Sequence, residues 1–117
     1  MSGPDYDSEI PWIKWSAYTS RDKNNPDKLQ IKVVSTEPFE TNYGTSVGLL
    51  LLFDGQYKPR NMTIKSDSSN NIKLQKLWDT NVKRDRIREG VSFSLMTYKR
   101  KSTKSDYEVR DFWMQFS

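Results

Sequence analysis

The sequence predicts a mainly β domain, a five-stranded Greek-key barrel with one short helix between strands 3 and 4. Three observations carry that expectation. Apolar and polar residues alternate with period two in several separate short runs. Clusters of Asn, Asp, Pro and Gly punctuate the intervals between those runs. Only one stretch changes to helical spacing, placing Ile72, Leu74, Leu77 and Trp78 on one side and Lys73 and Lys76 on the other.

The elements follow in order. Residues 1–11, acidic and polar, read as a disordered lead-in, and 12–117 as a single domain with one core. Ile13, Trp15 and Ala17 alternate and suggest one further strand over Trp12–Tyr18, after which Ser20–Lys28 is a polar loop. Leu29, Ile31 and Val33 alternate with Gln30 and Lys32, a half-buried first strand. Pro38 breaks it, and Asn42-Tyr43-Gly44 supplies residues that tolerate positive φ. Val47–Phe53 is apolar on both faces, as a central strand is, with Gly48 marking a bulge or bend and Asp54-Gly55 a turn. Tyr57–Lys65 is the third strand, with Met62 and Ile64 inward and pairing limited to the stretch after Pro59. Ser66–Asn71 offers helix caps, and Asn70–Thr80 is the helix. Val82–Gly90 is a charged surface turn anchored by Ile87. Val91–Met96 forms the fourth strand, Lys99–Ser105 a basic tip, and Tyr107–Arg110 the start of the fifth. This is the element order of the OB-fold.

Composition narrows the chemistry. With no Cys and no His, the chain has no disulfide, no thiolate nucleophile, no Cys/His zinc site and no imidazole base. No D-x-D, H-E-x-x-H or Gly-rich phosphate loop is present, so neither an enzyme nor a cofactor is expected. GLLLLF is too short to span a membrane, and the N-terminus is unlike a signal peptide, so an intracellular protein, cytoplasmic or nucleoid-associated, is expected. The formal charge is +4, and residues 81–117, with nine Lys/Arg against five Asp/Glu, account for the whole of it. Four Trp, six Tyr and five Phe accompany a low overall hydrophobicity. Basic and aromatic together suit a nucleic-acid surface. They suit equally a small β core filled by large rings.

IKVVSTEPFETNYGTSVGLLLLFDG resembles the first two strands of OB-fold single-stranded-DNA-binding domains of the replication protein A, archaeal and phage type. The resemblance rests on Glu40-Thr41-Asn42-Tyr43-Gly44 between the strands and, later, on a helix, G-V-S-F-S-L and a basic hairpin ending Y-E-V. It covers roughly residues 29–113. The sequence departs from the bacterial members in lacking an acidic C-terminal tail, so a recruiting role is not expected. The resemblance implies an OB-fold and a partner of single-stranded DNA, or RNA, bound across strands two and three. The loops Phe39–Thr45 and Lys99–Ser105 would clasp it.

On that reading Lys32, Arg60, Lys65, Lys99, Arg100 and Lys101 neutralise phosphates. Trp15, Tyr43, Tyr57 and Tyr98 stack on bases, each stacked base being worth about 1–3 kcal/mol. The alternative assignments are structural: tyrosines packing the barrel edge, Trp12 and Trp15 plugging its open end, Trp78 and Trp113 completing the core. Arg84, Arg86 and Arg88 alternate with Asp85 and Glu89 and read as a solvated, salt-bridged face. Lys99-Arg100-Lys101 has no acid beside it along the chain until Asp106, which makes it the leading phosphate contact. The competing function is a protein-interaction module that docks a partner or a second copy through exposed aromatics.

Overall fold

The computed structural model describes residues 10–42, 44–65, 69–103 and 107–116, with backbone alone for 69–72. Its strands are β1 (Asp27–Val33), β2 (Phe39–Thr41), β3 (Gly44–Phe53), β4 (Gln56–Lys65), β5 (Ser92–Lys101) and β6 (Glu108–Phe116). One α-helix, α1 (Ser69–Lys83), lies between β4 and β5. All ladders are antiparallel. β3 carries β4 along one edge, and along the other first β2 and then β1. β1 continues to β5 and β5 to β6, giving the spatial order β4-β3-β1-β5-β6.

Where a five-stranded Greek-key barrel is expected, the structure has an open sheet of six strands. Among the described residues no ladder joins β4 to β6; α1 packs against both of these strands instead. The sixth strand, β2, is cut from the stretch expected as a loop: Phe39, Glu40 and Thr41 pair with Ser46, Thr45 and Gly44.

Alternation along each strand explains the core. Leu29, Ile31 and Val33 of β1, Val47, Leu49 and Leu51 of β3, and Phe93 and Leu95 of β5 are buried on one side. Leu74 and Trp78 of α1 cover them from an i, i+4 stripe, joined by Met62, Ile64 and Ile87. Each such side chain contributes about 1.5–3 kcal/mol by leaving water. The helix runs three residues past its expected end. Asn81 then closes the following turn, its carbonyl accepting from the N–H groups of Arg86 and Ile87 (2.9 and 3.1 Å).

Three local expectations change. The bulge falls between Thr45 and Ser46, not at Gly48, which stays in register opposite Asn61. β4 pairs on both sides of Pro59, down to the Phe53–Gln56 pair. The reason is direction. Asn61 spends its N–H on the Pro11 carbonyl and its C=O on the Ile13 N–H, off the free edge of the sheet. The Pro59 nitrogen, two residues back, faces the same way, where the ladder needs no donor. Trp12–Tyr18 is not a strand either. Trp12 makes a single parallel bridge to Asn61, and Trp15–Ala17 forms a 3-10 turn.

At the β3–β4 turn, Asp54 (φ 48°) and Gly55 (φ 80°) both lie in the left-handed region. That is the two-residue type I′ geometry that Asp-Gly favours.

Candidate nucleic-acid interface

The side of the sheet away from the core is built by the complementary alternation. Register puts Pro59 opposite Leu50, Leu50 opposite Lys32, and Lys32 opposite Ser92, so these four form one row across β4, β3, β1 and β5. Tyr57 and Leu52 form the adjacent row, 39% and 37% exposed. Lys28 lies on the same face of β1 and, like Lys32, is exposed and has no ion pair among the described residues. β1, β3 and β4 put no carboxylate on this face.

Of the expected site residues, Lys32 and Tyr57 are therefore brought together. Lys65 is exposed at the far end of β4, opposite Thr45. Tyr43 lies outside the described residues. Arg60 is on the other side of the sheet, its guanidinium 4.9 Å from the centre of the Phe53 ring and donating to the Pro59 carbonyl (2.7 Å). It lines a cavity of about 280 Å³ at the mouth of the sheet, with Trp12, Tyr18 and Phe53. Trp15 is a packing residue, with the rings of Phe112 at 5.1 Å and Tyr18 at 6.0 Å.

The basic hairpin differs most from expectation. Lys99, Arg100 and Lys101 are not loop residues; they end β5, paired with Arg110, Val109 and Glu108. Tyr98 is only 9% exposed, edge-on to Trp113, and its hydroxyl donates to Asp111 (3.1 Å). A ring so enclosed has no face to offer a base. Burial, then the bond to Asp111, raises its pKa above the ordinary phenol value.

Asp111 is the centre of this region. Its carboxylate accepts from Arg100 (2.6 Å), from the Lys73 ammonium of α1 and from Tyr98. Burial alone would push the carboxyl up, but the Arg100 and Lys73 bonds, with Tyr98 adding to them, hold it down at about 2. Arg100, expected to grip phosphate, is thus already engaged. Lys99 and Lys101 flank Glu108, whose carboxyl is held below its ordinary value chiefly by Arg21, with both lysines contributing. Arg21 reaches Glu108 through two bonds of 2.6 and 3.1 Å.

Two residues that carry the architecture were not foreseen. Arg110 is 4% exposed, yet its guanidinium donates to the carbonyls of Trp15 (2.8 Å) and Tyr18 (2.9 Å), which fastens the N-terminal turn to β6. Burial lowers its pKa. The parity of Phe112, Met114 and Phe116 was the signal, because it puts residue 110 on the inner side. Asn61, fully buried in β4, has neither amide atom hydrogen-bonded.

Among the described residues no group of three His, Cys, Asp or Glu side chains could hold a metal ion, and no helix is long and apolar enough to cross a membrane. Comparison with protein-family models, with curated protein sequences and with solved structures finds no match.

Proposed function

We propose that this chain binds single-stranded nucleic acid, DNA in the first instance, without an enzymatic step and largely without regard to sequence, on the outer face of an OB-type sheet. The observation that carries the reading is the row Pro59–Leu50–Lys32–Ser92, exposed at Pro59 and Lys32 and half-buried at Leu50 and Ser92, with Tyr57 and Leu52 beside it, a platform free of carboxylates from β1, β3 and β4. The OB-fold is a partly open barrel that binds oligonucleotides across its second and third strands. With β2 counted as an outgrowth of the preceding loop, those strands here are β3 and β4, and α1 follows them in the expected place.

The mechanism has two parts. Tyr57 offers a ring to an unstacked base, and Leu50, Leu52 and Pro59 extend the apolar surface around it. Lys28 and Lys32 neutralise the backbone, each phosphate contact contributing about 0.7 to the slope of log affinity against log salt on a single strand.

Fluorescence anisotropy with labelled oligo-dT over a salt series tests this. Affinity should fall with salt and exceed that for duplex of the same length. Tyr57→Ala should cost about 1–3 kcal/mol of binding, and Lys28→Gln/Lys32→Gln should flatten the slope by about 1.4. Absence of binding at low salt refutes the reading.

A second reading follows from Val34, 47% exposed just past the end of β1. Val34, Leu52 and Tyr57 together would suit a protein partner or a second copy. Light scattering that finds a strict monomer, together with oligo-dT binding, argues against it.

A further inference from the structure

We infer that the pocket formed by Arg86, Arg88, Ser92, Val91, Phe116 and Asp85 is a phosphate site that extends the outer-face path beyond Lys32. The inference rests on the nucleic-acid reading above and adds the end of the site.

The pocket has a volume of about 360 Å³, within the range of small-ligand sites. Its position is fixed by backbone. The Val33 N–H donates to the Val91 carbonyl and the Gly90 N–H to the Val33 carbonyl, both at 2.9 Å, so the Arg86–Gly90 turn is fastened to the end of β1. Ser92, which lines the pocket, is the register partner of Lys32. One strand spacing, about 4.8 Å, therefore separates the end of the Pro59–Leu50–Lys32 row from the pocket. A strand that crosses the row meets Ser92 next and, round the end of β5, the two guanidiniums that share its pocket, Arg86 lying against Phe116 on the inner side.

The chemistry fits a phosphodiester oxygen. Arg86 lies 5.9 Å from the centre of the Phe116 ring and has no carboxylate partner among the described residues. A guanidinium resting on a ring keeps its edge N–H groups for a planar, bidentate anion contact. The alternating charges of this segment suggested mutual neutralisation, but the one pair formed is loose. Arg88 and Asp85 are 3.8 Å apart with side chains 65% and 81% exposed, a geometry worth little in water. Ser92 adds a hydroxyl donor.

The test compares the wild type, Arg86→Gln/Arg88→Gln and Arg86→Lys/Arg88→Lys on a twelve-nucleotide oligo-dT across salt. Both arginines are exposed, so the variants should fold, which circular dichroism checks. The Gln pair should flatten the salt slope by about 1.4. The Lys pair should keep the slope and bind more weakly, because charge remains while the fork is lost. If the wild type and the Lys28→Gln/Lys32→Gln variant differ as proposed but the Gln pair has the wild-type slope, the pocket is not on the path and this inference alone falls. If the wild type binds no oligo-dT at any salt, the nucleic-acid reading falls and takes the pocket with it. A third arm separates sources of the anion. Should 10 mM inorganic phosphate shift the Arg86 Nε–H resonance while oligo-dT leaves it unmoved, the pocket serves free anions and the inference is overturned.

Discussion

Replacing Asp111 with Asn tests how the hairpin's charges are organised. The carboxyl sits at about 2 in the folded chain, against an ordinary value of 3.8. Such a depression corresponds to on the order of 2 kcal/mol of folding stability at neutral pH. The sign is that of a lowered carboxylate. The contribution is present in full above the unfolded pKa, near 4, and is lost as pH falls through the folded value near 2. Asp111→Asn should therefore lower the urea-unfolding free energy at pH 7 by about 2 kcal/mol. At pH 3 roughly half the difference should remain, and at pH 2 only about 0.4 kcal/mol. The substitution also releases Arg100 and Lys73 from their acceptor. A less stable protein should then bind oligo-dT more tightly, its salt slope steeper by about 0.7 for each cation that reaches a phosphate. Equal stability of the two proteins at pH 7, or a difference that does not shrink between pH 4 and pH 2, would refute the assignment of the carboxylate as the anchor.

Arg110→Met strips the Trp15 and Tyr18 carbonyls of their donor and should cost about 3 kcal/mol; trypsin should cut after Lys14 faster, and an unchanged rate would remove Arg110 as the fastener. Asn61→Leu replaces an unpaired buried amide by an apolar group of similar shape and should raise the unfolding free energy by about 1–2 kcal/mol, read as a higher urea midpoint with the m value unchanged; a lower midpoint would mean the amide has a partner. Gly55→Ala forces a Cβ onto φ 80° where nothing stands within 4 Å, so backbone strain alone should cost about 1–2 kcal/mol, read as a fall in Tm. In stopped-flow with oligo-dT, Lys101→Gln should slow association and leave dissociation unchanged, whereas Lys32→Gln should speed dissociation; the opposite assignment would reverse the roles of the two surfaces.

Strands and helix were legible because burial imposes period two on Leu29–Val33 and Val47–Phe53 and a helical stripe on Leu74 and Trp78. The free edge of β4 was not legible. Whether Pro59 interrupts pairing depends on which way its nitrogen points, and that is set by the bonds Asn61 makes to Pro11 and Ile13, far away in the chain. Of the candidate site, Lys32 and Tyr57 could be read as exposed polar or aromatic positions on alternating strands. Tyr98 and Arg100 could not be read correctly from neighbours along the chain. Their acid, Asp111, lies directly across the hairpin from Tyr98, a distance in sequence that counting adjacent charges never spans.

The same point recasts what the basic C-terminal third does. Around the turn end of the β5–β6 hairpin, Arg21, Lys73, Lys99, Arg100, Lys101 and Arg110 surround two carboxylates, Glu108 and Asp111. The region stays electropositive, yet Arg100 and Lys73 are tied to Asp111, Arg21 to Glu108 and Arg110 to backbone carbonyls. Cations so held cannot reorganise around a phosphate without breaking bonds that keep the fold together. Their summed field still acts at a distance and draws a polyanion toward the molecule. Contact energy must come from cations that lose nothing by turning to the ligand, which are Lys28 and Lys32 on the outer face and Arg86 in the pocket that Ser92 shares. On this argument the charge excess that first pointed to nucleic acid steers it, and a less conspicuous set of residues, most of them upstream of that excess, holds it.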